Sequence, residues 1–350
     1  MAKTYFVVGS AKSHDIEEQP YGDLKQALNA VELVETNFEN CDYLIFVNHN
    51  KKYLKKYLKL KRDPAKLILI RLEPPAVLPV QYSKKVEKNY NLILDPGAAL
   101  KSTSTAEFIP WPYRISKDPA NPDFDSENLQ TVIEKSIKNN LFNRENWNLR
   151  RSKIVHIAAN KVSPTSNSNY RIRRNLVKKL GSKDLDVYGH FWNYSIKRQI
   201  GYRIKVLLYT FRTGFIPNLK EIYGGLLTTY PNFCGEPEDK HDVLKQYKFS
   251  LVIENYSGYC SEKLFDAIIN ASIPIYVGPK RENLLLPEKI FIWSDGSVQD
   301  IQRILNTMTL DSCNDMLKSM KNYLLSGDFT SNWQCENVYA KIAIKIWSLG

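Results

Sequence analysis

Residues 247–278 read YKFSLVIENYSGYCSEKLFDAIINASIPIYVG, and this stretch decides the fold. The apolar run 249–253 suits a buried strand, and 274–277, closed by Gly278, suits another. Between them Leu264, Phe265, Ile268 and Ile269 recur on one face of a helix, with Ser261 placed to cap its start. The unit is therefore β-loop-α-β. Such crossovers are right-handed, so the loop lies at the carboxyl edge of a parallel sheet, where ligands bind.

The charges narrow the ligand. Lys263 falls in the first helical turn, where the helix dipole is already positive, so a cation costs up to ~1 kcal/mol in an empty site. A docked anion reverses that sign, and phosphate at a helix N-terminus with a lysine beside it is a recurrent arrangement. Glu262 favours the helix start and can accept hydrogen bonds from sugar or ribose hydroxyls. An ordinary solvated first turn fits the same spacing.

The segment resembles the donor-binding motif of the α-1,3/4-fucosyltransferases, glycosyltransferase family 10. The family pattern is a strand ending F-x-E-N-S, a loop, Y-[VI]-T-E-K, a helix and P-[VI]-x-x-G. Here it reads Val252-Ile253-Glu254-Asn255, then Tyr259-Cys260-Ser261-Glu262-Lys263, then Ile273-Pro274-Ile275-Tyr276-Val277-Gly278. Tyr256 replaces the serine after Glu-Asn, Cys260 and Ser261 replace valine or isoleucine and threonine, and Asn270-Ala271-Ser272 replaces a glycine-containing bend.

Two further stretches are similar to the same family. KIVHIAAN at 153–160 reads as a strand, followed by a Ser/Pro/Asn loop, the basic helix 171–180 and the strand start Asp186-Val187-Tyr188-Gly189. The resemblance implies that Arg173, with Leu180 at the family distance, contacts the donor diphosphate; Arg171 and Arg174 are alternatives if the register slips. In the first half, KLILIRL at 66–72 stops at Glu73-Pro74-Pro75, and the double proline cannot continue a ladder. A carboxylate there lies on the edge where ligands gather. By resemblance Glu73 is the general base, ahead of the strand 90–94, Asp95-Pro96-Gly97 and Pro110-Trp111-Pro112-Tyr113.

Length and patterning agree. A chain of 350 residues suits two domains, because single cores seldom grow past ~250–300 residues. Strand-like runs fall at 5–8, 43–47, 67–70 and 90–94, then at 154–158, 186–188, 249–253, 275–277 and 290–293, with helical patterns between most neighbours. The expected fold class is α/β, the GT-B architecture of two Rossmann-like parallel-sheet domains facing across a cleft. The expected domains are 1–148, binding the acceptor, and 149–330, binding the nucleotide sugar, with 331–350 packing back on the first.

Net charge of +12 attracts anionic partners in general, a nucleotide diphosphate sugar and an anionic membrane face among them. Residues 194–212 mix aromatic, aliphatic and basic side chains and read as an interfacial helix or as a packed core helix. No zinc spacing, helix-turn-helix signature or RNA-recognition motif accompanies the basic charge, so nucleic acid is not an expected partner. Five cysteines without a C-x-x-C pair point to a reducing compartment, and no run approaches the length of a membrane span. The expected location is the cytoplasm, with peripheral contact at the inner membrane face open. Sequons at Asn193, Asn255 and Asn270 are read as chance. Asp184-Leu185-Asp186 and Asp123-Phe124-Asp125 resemble metal-holding D-x-D pairs, but neither is read as a metal site.

The resemblance implies inverting transfer of L-fucose from GDP-fucose to a hydroxyl of an acceptor glycan of lipopolysaccharide or N-acetyllactosamine type, in α-1,3 or α-1,4 linkage, with no cofactor. Glu73 is the base, and Arg173 and Lys263 stabilise the departing GDP. Tyr259 and Glu262 contact ribose or fucose hydroxyls, Glu254 and Asn255 line the sugar pocket, and Tyr188 with Gly189 borders the guanine. Two rivals are a GT-B transferase using another nucleotide sugar and a non-catalytic sugar-nucleotide-binding protein.

Overall fold

The computed structural model describes residues 2–9, 21–60, 64–97, 106–115, 128–213, 215–280, 284 and 286–350. The chain forms two compact units, residues 1–113 with 330–350, and residues 114–329. The helices Leu129–Lys138 and Arg144–Asn148, which precede residue 149, belong to the second unit.

The first unit is built on six parallel strands: β1 (Thr4–Val8), β2 (Val34–Glu35), β3 (Tyr43–Val47), β4 (Lys66–Ile70), β5 (Leu92–Asp95) and β6 (Ala106–Phe108). Their order across the sheet is β2-β1-β3-β4-β5-β6. All of β3 is buried, as expected of a central parallel strand covered on both faces. Its side chains alternate between two cores. Tyr43, Ile45 and Val47 join Leu24 and Leu28 of the helix Tyr21–Ala30 and Val338, Ile342 and Ile346 of the helix Cys335–Trp347. Leu44 and Phe46 join Leu54 and Tyr57 of the helix Lys51–Tyr57. The C-terminal helix thus covers one face of the first sheet. Tyr113, from the Pro-Trp-Pro-Tyr segment, anchors its approach: the Tyr113 amide donates to Trp333 O at 2.7 Å, and the Cys335 amide donates to Tyr113 O at 3.0 Å.

The second unit carries β7 (Arg151–Ile157), β8 (Leu185–Tyr188), β9 (Phe233–Gly235), β10 (Tyr247–Ile253), β11 (Ile273–Val277) and β12 (Ile292–Trp293). The order is β12-β11-β10-β7-β8-β9, and every described pairing is parallel. From β7 the chain winds outward through β8 and β9, then returns to lay β10, β11 and β12 on the other side. This is the order of a dinucleotide-binding sheet. The edge strands β2, β6, β9 and β12 are only two or three residues long. The first three were not expected from sequence, since so short a run carries no periodicity.

Among the described residues, no helix is long and apolar enough to cross a membrane. The helix Ile196–Thr213 keeps much of its apolar surface exposed, so it is not a packed core helix.

Candidate functional site

Winding reverses between β7 and β10, and a crevice opens outside the carboxyl ends of two strands related in this way. Arg173, in the first turn of the helix Tyr170–Asp184, spans those two ends. Its Nη1 donates to Ala159 O at 2.9 Å, just beyond β7; its Nη2 donates to Ile253 O at 2.9 Å, at the end of β10, and to Asn255 Oδ1 at 3.0 Å. Only 2% of the residue is exposed, and its Nε is buried without a hydrogen-bond partner. Burial lowers its pKa, opposed by Tyr170 and Glu254. The neighbouring arginines turn elsewhere. Arg171 is exposed and reaches Glu221 at 3.7 Å, while Arg174 Nη1 donates to Lys161 O at 2.9 Å. Of the three, Arg173 alone bridges the switch point.

The loop between β10 and the helix Glu262–Ile269 is organised by Glu254, which is wholly buried. Its Oε1 accepts from the Ser261 amide at 2.8 Å and from the Tyr276 hydroxyl at 3.3 Å; its Oε2 accepts from Ser261 Oγ at 2.7 Å. Burial raises the Glu254 pKa, against the pull of Lys263 and the Ser261 hydrogen bonds. Ser261 occupies the N-cap position, but its hydroxyl does not cap the helix as its sequence suggests, because Glu254 has taken it. The first-turn amides of that helix therefore keep their donor capacity. Both helix starts beside the switch point share this trait, since Asn169, at the N-cap of Tyr170–Asp184, also makes no side-chain cap.

Lys263 is 22% exposed; its Nζ donates to Ser261 Oγ at 2.9 Å and Glu262 Oε1 at 3.0 Å and lies 4.0 Å from Glu254 Oε2. Burial works to lower its pKa, but Glu262 and Glu254 outweigh that and the net shift is upward. For Glu262 burial works upward, yet Lys263 and Lys240 prevail and hold its carboxyl down at about 2. Both groups are therefore charged at neutral pH. The helix itself is held by its buried face and by Lys240, whose Nζ meets Asp266 Oδ2 at 2.6 Å. At the bend that follows it, Ala271 adopts φ +52°, the left-handed conformation that favours glycine.

Asn255, Ser168 and Asn169 complete this edge. The Asn169 amide donates to Asn255 O at 3.1 Å, Ser257 Oγ donates to Asn169 Oδ1 at 3.1 Å, and Ser168 forms an isolated bridge with Tyr256. Ser168 Oγ and Asn169 Nδ2 are buried with no partner. So is Nε2 of His156, whose Nδ1–H donates to Leu251 O at 2.7 Å. Burial and Arg173 push the His156 pKa down to about 3, so its Nε2 is a bare acceptor. Of these, Ser168 Oγ and Asn169 Nδ2 can donate and fit a site that receives a polar, anionic ligand, whereas the His156 acceptor does not face an anion. The sequence motifs did not single out Ser168, Asn169 or His156; a histidine inside an otherwise apolar strand was the available signal.

Tyr259 is buried in the loop before Ser261. Gly189 lies just past β8 with φ +123°, and a Cβ there would meet Ala158 O at 2.6 Å, so only glycine fits beside the end of β7. The Tyr188 side chain is not brought to this edge. It packs against the cluster of Val155, Leu244 and Tyr247, its hydroxyl 3.4 Å from that of Tyr247 at the start of β10. Asp186 is spent on the same cluster, meeting Lys153 Nζ at 3.1 Å and the Tyr247 hydroxyl at 2.9 Å. Asp123 and Asp125 lie outside the described residues. Among the described residues, no group of His, Cys, Asp and Glu is arranged to hold a metal ion. Asn270 is 1% exposed and donates to Asp266 O at 2.7 Å, which excludes a glycan on it in the folded protein.

In the first unit Glu73 follows β4 on a backbone pinned from both sides. Asn48 Oδ1 accepts from the Leu72 and Glu73 amides at 2.9 and 3.0 Å, and Glu73 O accepts from Gln81 Nε2 at 2.7 Å and the Tyr82 hydroxyl at 2.9 Å. Buried Arg71 anchors the same turn, pairing with Asp95 at 2.9 Å and Glu87 at 2.7 Å. The Glu73 side chain is half-buried.

Two α/β units, each built on a six-stranded parallel sheet with helices, define the GT-B class of glycosyltransferase fold. The solved structure of Anabaena HepE in complex with UDP shares the fold, at TM-score 0.53 and 11% identity, covering 99% of this chain and 100% of that one. Residues 220–318 match the model of glycosyltransferase family 10 (fucosyltransferase) C-term. A putative fucosyltransferase-like protein of Arabidopsis thaliana is 32% identical over 72 residues, 20% of this chain and 14% of that protein's length. An α1,3-fucosyltransferase solved with GDP-fucose also matches, at TM-score 0.46 and 14% identity, covering 100% of this chain and 91% of that one.

Proposed function

We propose that this protein is an inverting glycosyltransferase that moves L-fucose from GDP-β-L-fucose to a hydroxyl of an acceptor glycan, in α-1,3 or α-1,4 linkage. The observation that carries the reading is the helix start at Ser261-Glu262-Lys263. It sits at the carboxyl edge of β10 inside the segment matched to family 10, with its first-turn amides uncapped and a charged lysine beside them. That combination suits a diphosphate. Arg173 supports the same reading through its position across the switch point and its unpaired Nε.

The acceptor hydroxyl attacks the anomeric carbon from the face opposite GDP, its proton passes to Glu73, and the glycosidic C–O bond forms as the bond to the diphosphate breaks. Charge developing on the leaving GDP is met by Lys263, Arg173 and the two helix N-termini. Glu262 and Tyr259 contact ribose or fucose hydroxyls. Asn255 lines the sugar pocket; wholly buried Glu254 contributes by holding Ser261. Gly189 borders the guanine. The acceptor is an oligosaccharide of lipopolysaccharide or N-acetyllactosamine type.

The test is thermal stabilisation by GDP, GDP-fucose and UDP-glucose, followed by GDP-fucose turnover against a panel of both glycan types. GDP and GDP-fucose raise the melting temperature and at least one glycan is fucosylated. Preferential stabilisation by UDP-glucose would reject the donor. GDP binding without hydrolysis or transfer on any glycan would make the protein a binding module.

A further inference from the structure

Ten of the nineteen large hydrophobic side chains that are exposed among the described residues fall between Ile196 and Leu227. Scattered exposed apolar residues are ordinary, but such concentration marks an interaction surface. On the helix Ile196–Thr213 they form a stripe: Ile196, Ile200, Ile204, Leu208 and Phe211 recur every three or four residues, each between 38% and 58% exposed. Beyond the helix, Ile216 is 87% and Leu227 76% exposed.

Arg198, Lys205 and Arg212, seven residues apart and therefore two turns apart, run in an exposed row beside the stripe. The opposite side of the helix holds it to the protein. There Arg203 is 3% and Thr210 2% exposed, and Arg203 Nη1 donates to Ile222 O at 2.6 Å. Across residues 196–235 the only carboxylate is Glu221, which is buried.

We infer that this face docks on an anionic lipid bilayer, the apolar stripe entering the headgroup boundary and the basic row meeting lipid phosphates. An amphipathic helix with an apolar stripe, flanking Lys and Arg and no acidic group is the chemistry such a surface takes. A second copy of the chain is disfavoured as occupant, because a two-fold interface would bring the basic row of one copy close to that of the other without a carboxylate between them. The inference stands independently of the donor reading.

The test is co-sedimentation of the full chain with vesicles of phosphatidylcholine alone and of phosphatidylcholine containing phosphatidylglycerol, at low and raised salt. The protein binds the anionic vesicles, binds the neutral ones much less, and is released by salt. Replacing Arg198, Lys205 and Arg212 by Gln lowers partition by roughly fivefold per charge. The pair Leu208→Glu and Phe211→Glu abolishes binding while circular dichroism shows the fold retained. No binding to anionic vesicles, equal binding to both kinds, or binding unchanged by both sets of substitutions overturns the inference. A dimer in light scattering that Leu208→Glu dissolves, with no vesicle binding, overturns it in favour of a second copy.

Discussion

Glu254 and Ser261 grip each other twice, amide to Oε1 at 2.8 Å and hydroxyl to Oε2 at 2.7 Å, across the loop that joins β10 to the next helix. The pair diverts the serine hydroxyl from its capping role and sets where that helix begins. Its carboxylate is wholly buried, so its removal strands buried donors.

Glu254→Ala therefore destabilises the protein by about 2–3 kcal/mol, the cost of leaving buried polar groups unpaired. Chemical denaturation checks this. The same variant loosens the start of the helix Glu262–Ile269, so GDP affinity falls as well, read by calorimetry.

Gly189→Ala forces a Cβ to within 2.6 Å of Ala158 O at φ +123°. Strain of this kind costs about 1–3 kcal/mol before the carbonyl moves. The thermal midpoint drops, and hydrogen exchange rises first in β7 and β8.

Lys263 and Glu73 separate binding from chemistry. Lys263→Ala weakens GDP binding by tenfold or more, the worth of a hydrogen bond to a charged group at about 1.5–3 kcal/mol. Glu73→Gln leaves GDP binding within a few-fold and lowers turnover by roughly a hundredfold or more. Equal loss of both in Glu73→Gln would remove it as the base.

Asn48, at φ +61°, positions Glu73 by accepting from the Leu72 and Glu73 amides. Asn48→Gly keeps the backbone conformation and loses only the acceptor. Asn48→Ala loses both, so it is the more destabilising by about 1 kcal/mol. Comparing urea midpoints of the two variants tests this order.

Two buried histidines make the fold acid-sensitive above the carboxylate range. His49 is held down to about 4 by burial and Lys51, and His156 to about 3 by burial and Arg173. The unfolded imidazoles take protons below ~6.5 while the folded ones do not, so the unfolded state binds more protons and stability falls as pH falls. The loss begins near pH 6.5, runs to about 4 for His49 and about 3 for His156, and amounts to roughly 1.4 kcal/mol per pH unit for each. Urea midpoints between pH 7 and pH 4 measure the slope, and His156→Gln halves it.

Much was legible without coordinates. The β-loop-α-β unit at 247–278 announces itself because a parallel strand buried on both faces must be apolar throughout, and a helix packed on it must be apolar on one side. The central strands of both sheets follow from the same rule. Tertiary structure decided what local pattern cannot encode. Three arginines within four residues look alike in sequence, but Arg173 alone meets the carbonyls at the ends of β7 and β10, one of them on Ile253, 80 residues from it in the chain. Glu254 reads as a pocket residue and proves to be an internal clamp, because which atoms a buried carboxylate accepts from depends on chain brought back from elsewhere. The edge strands β2, β6 and β9 and the ring direction of Tyr188 were decided the same way, by neighbours distant in sequence rather than by their own residue types.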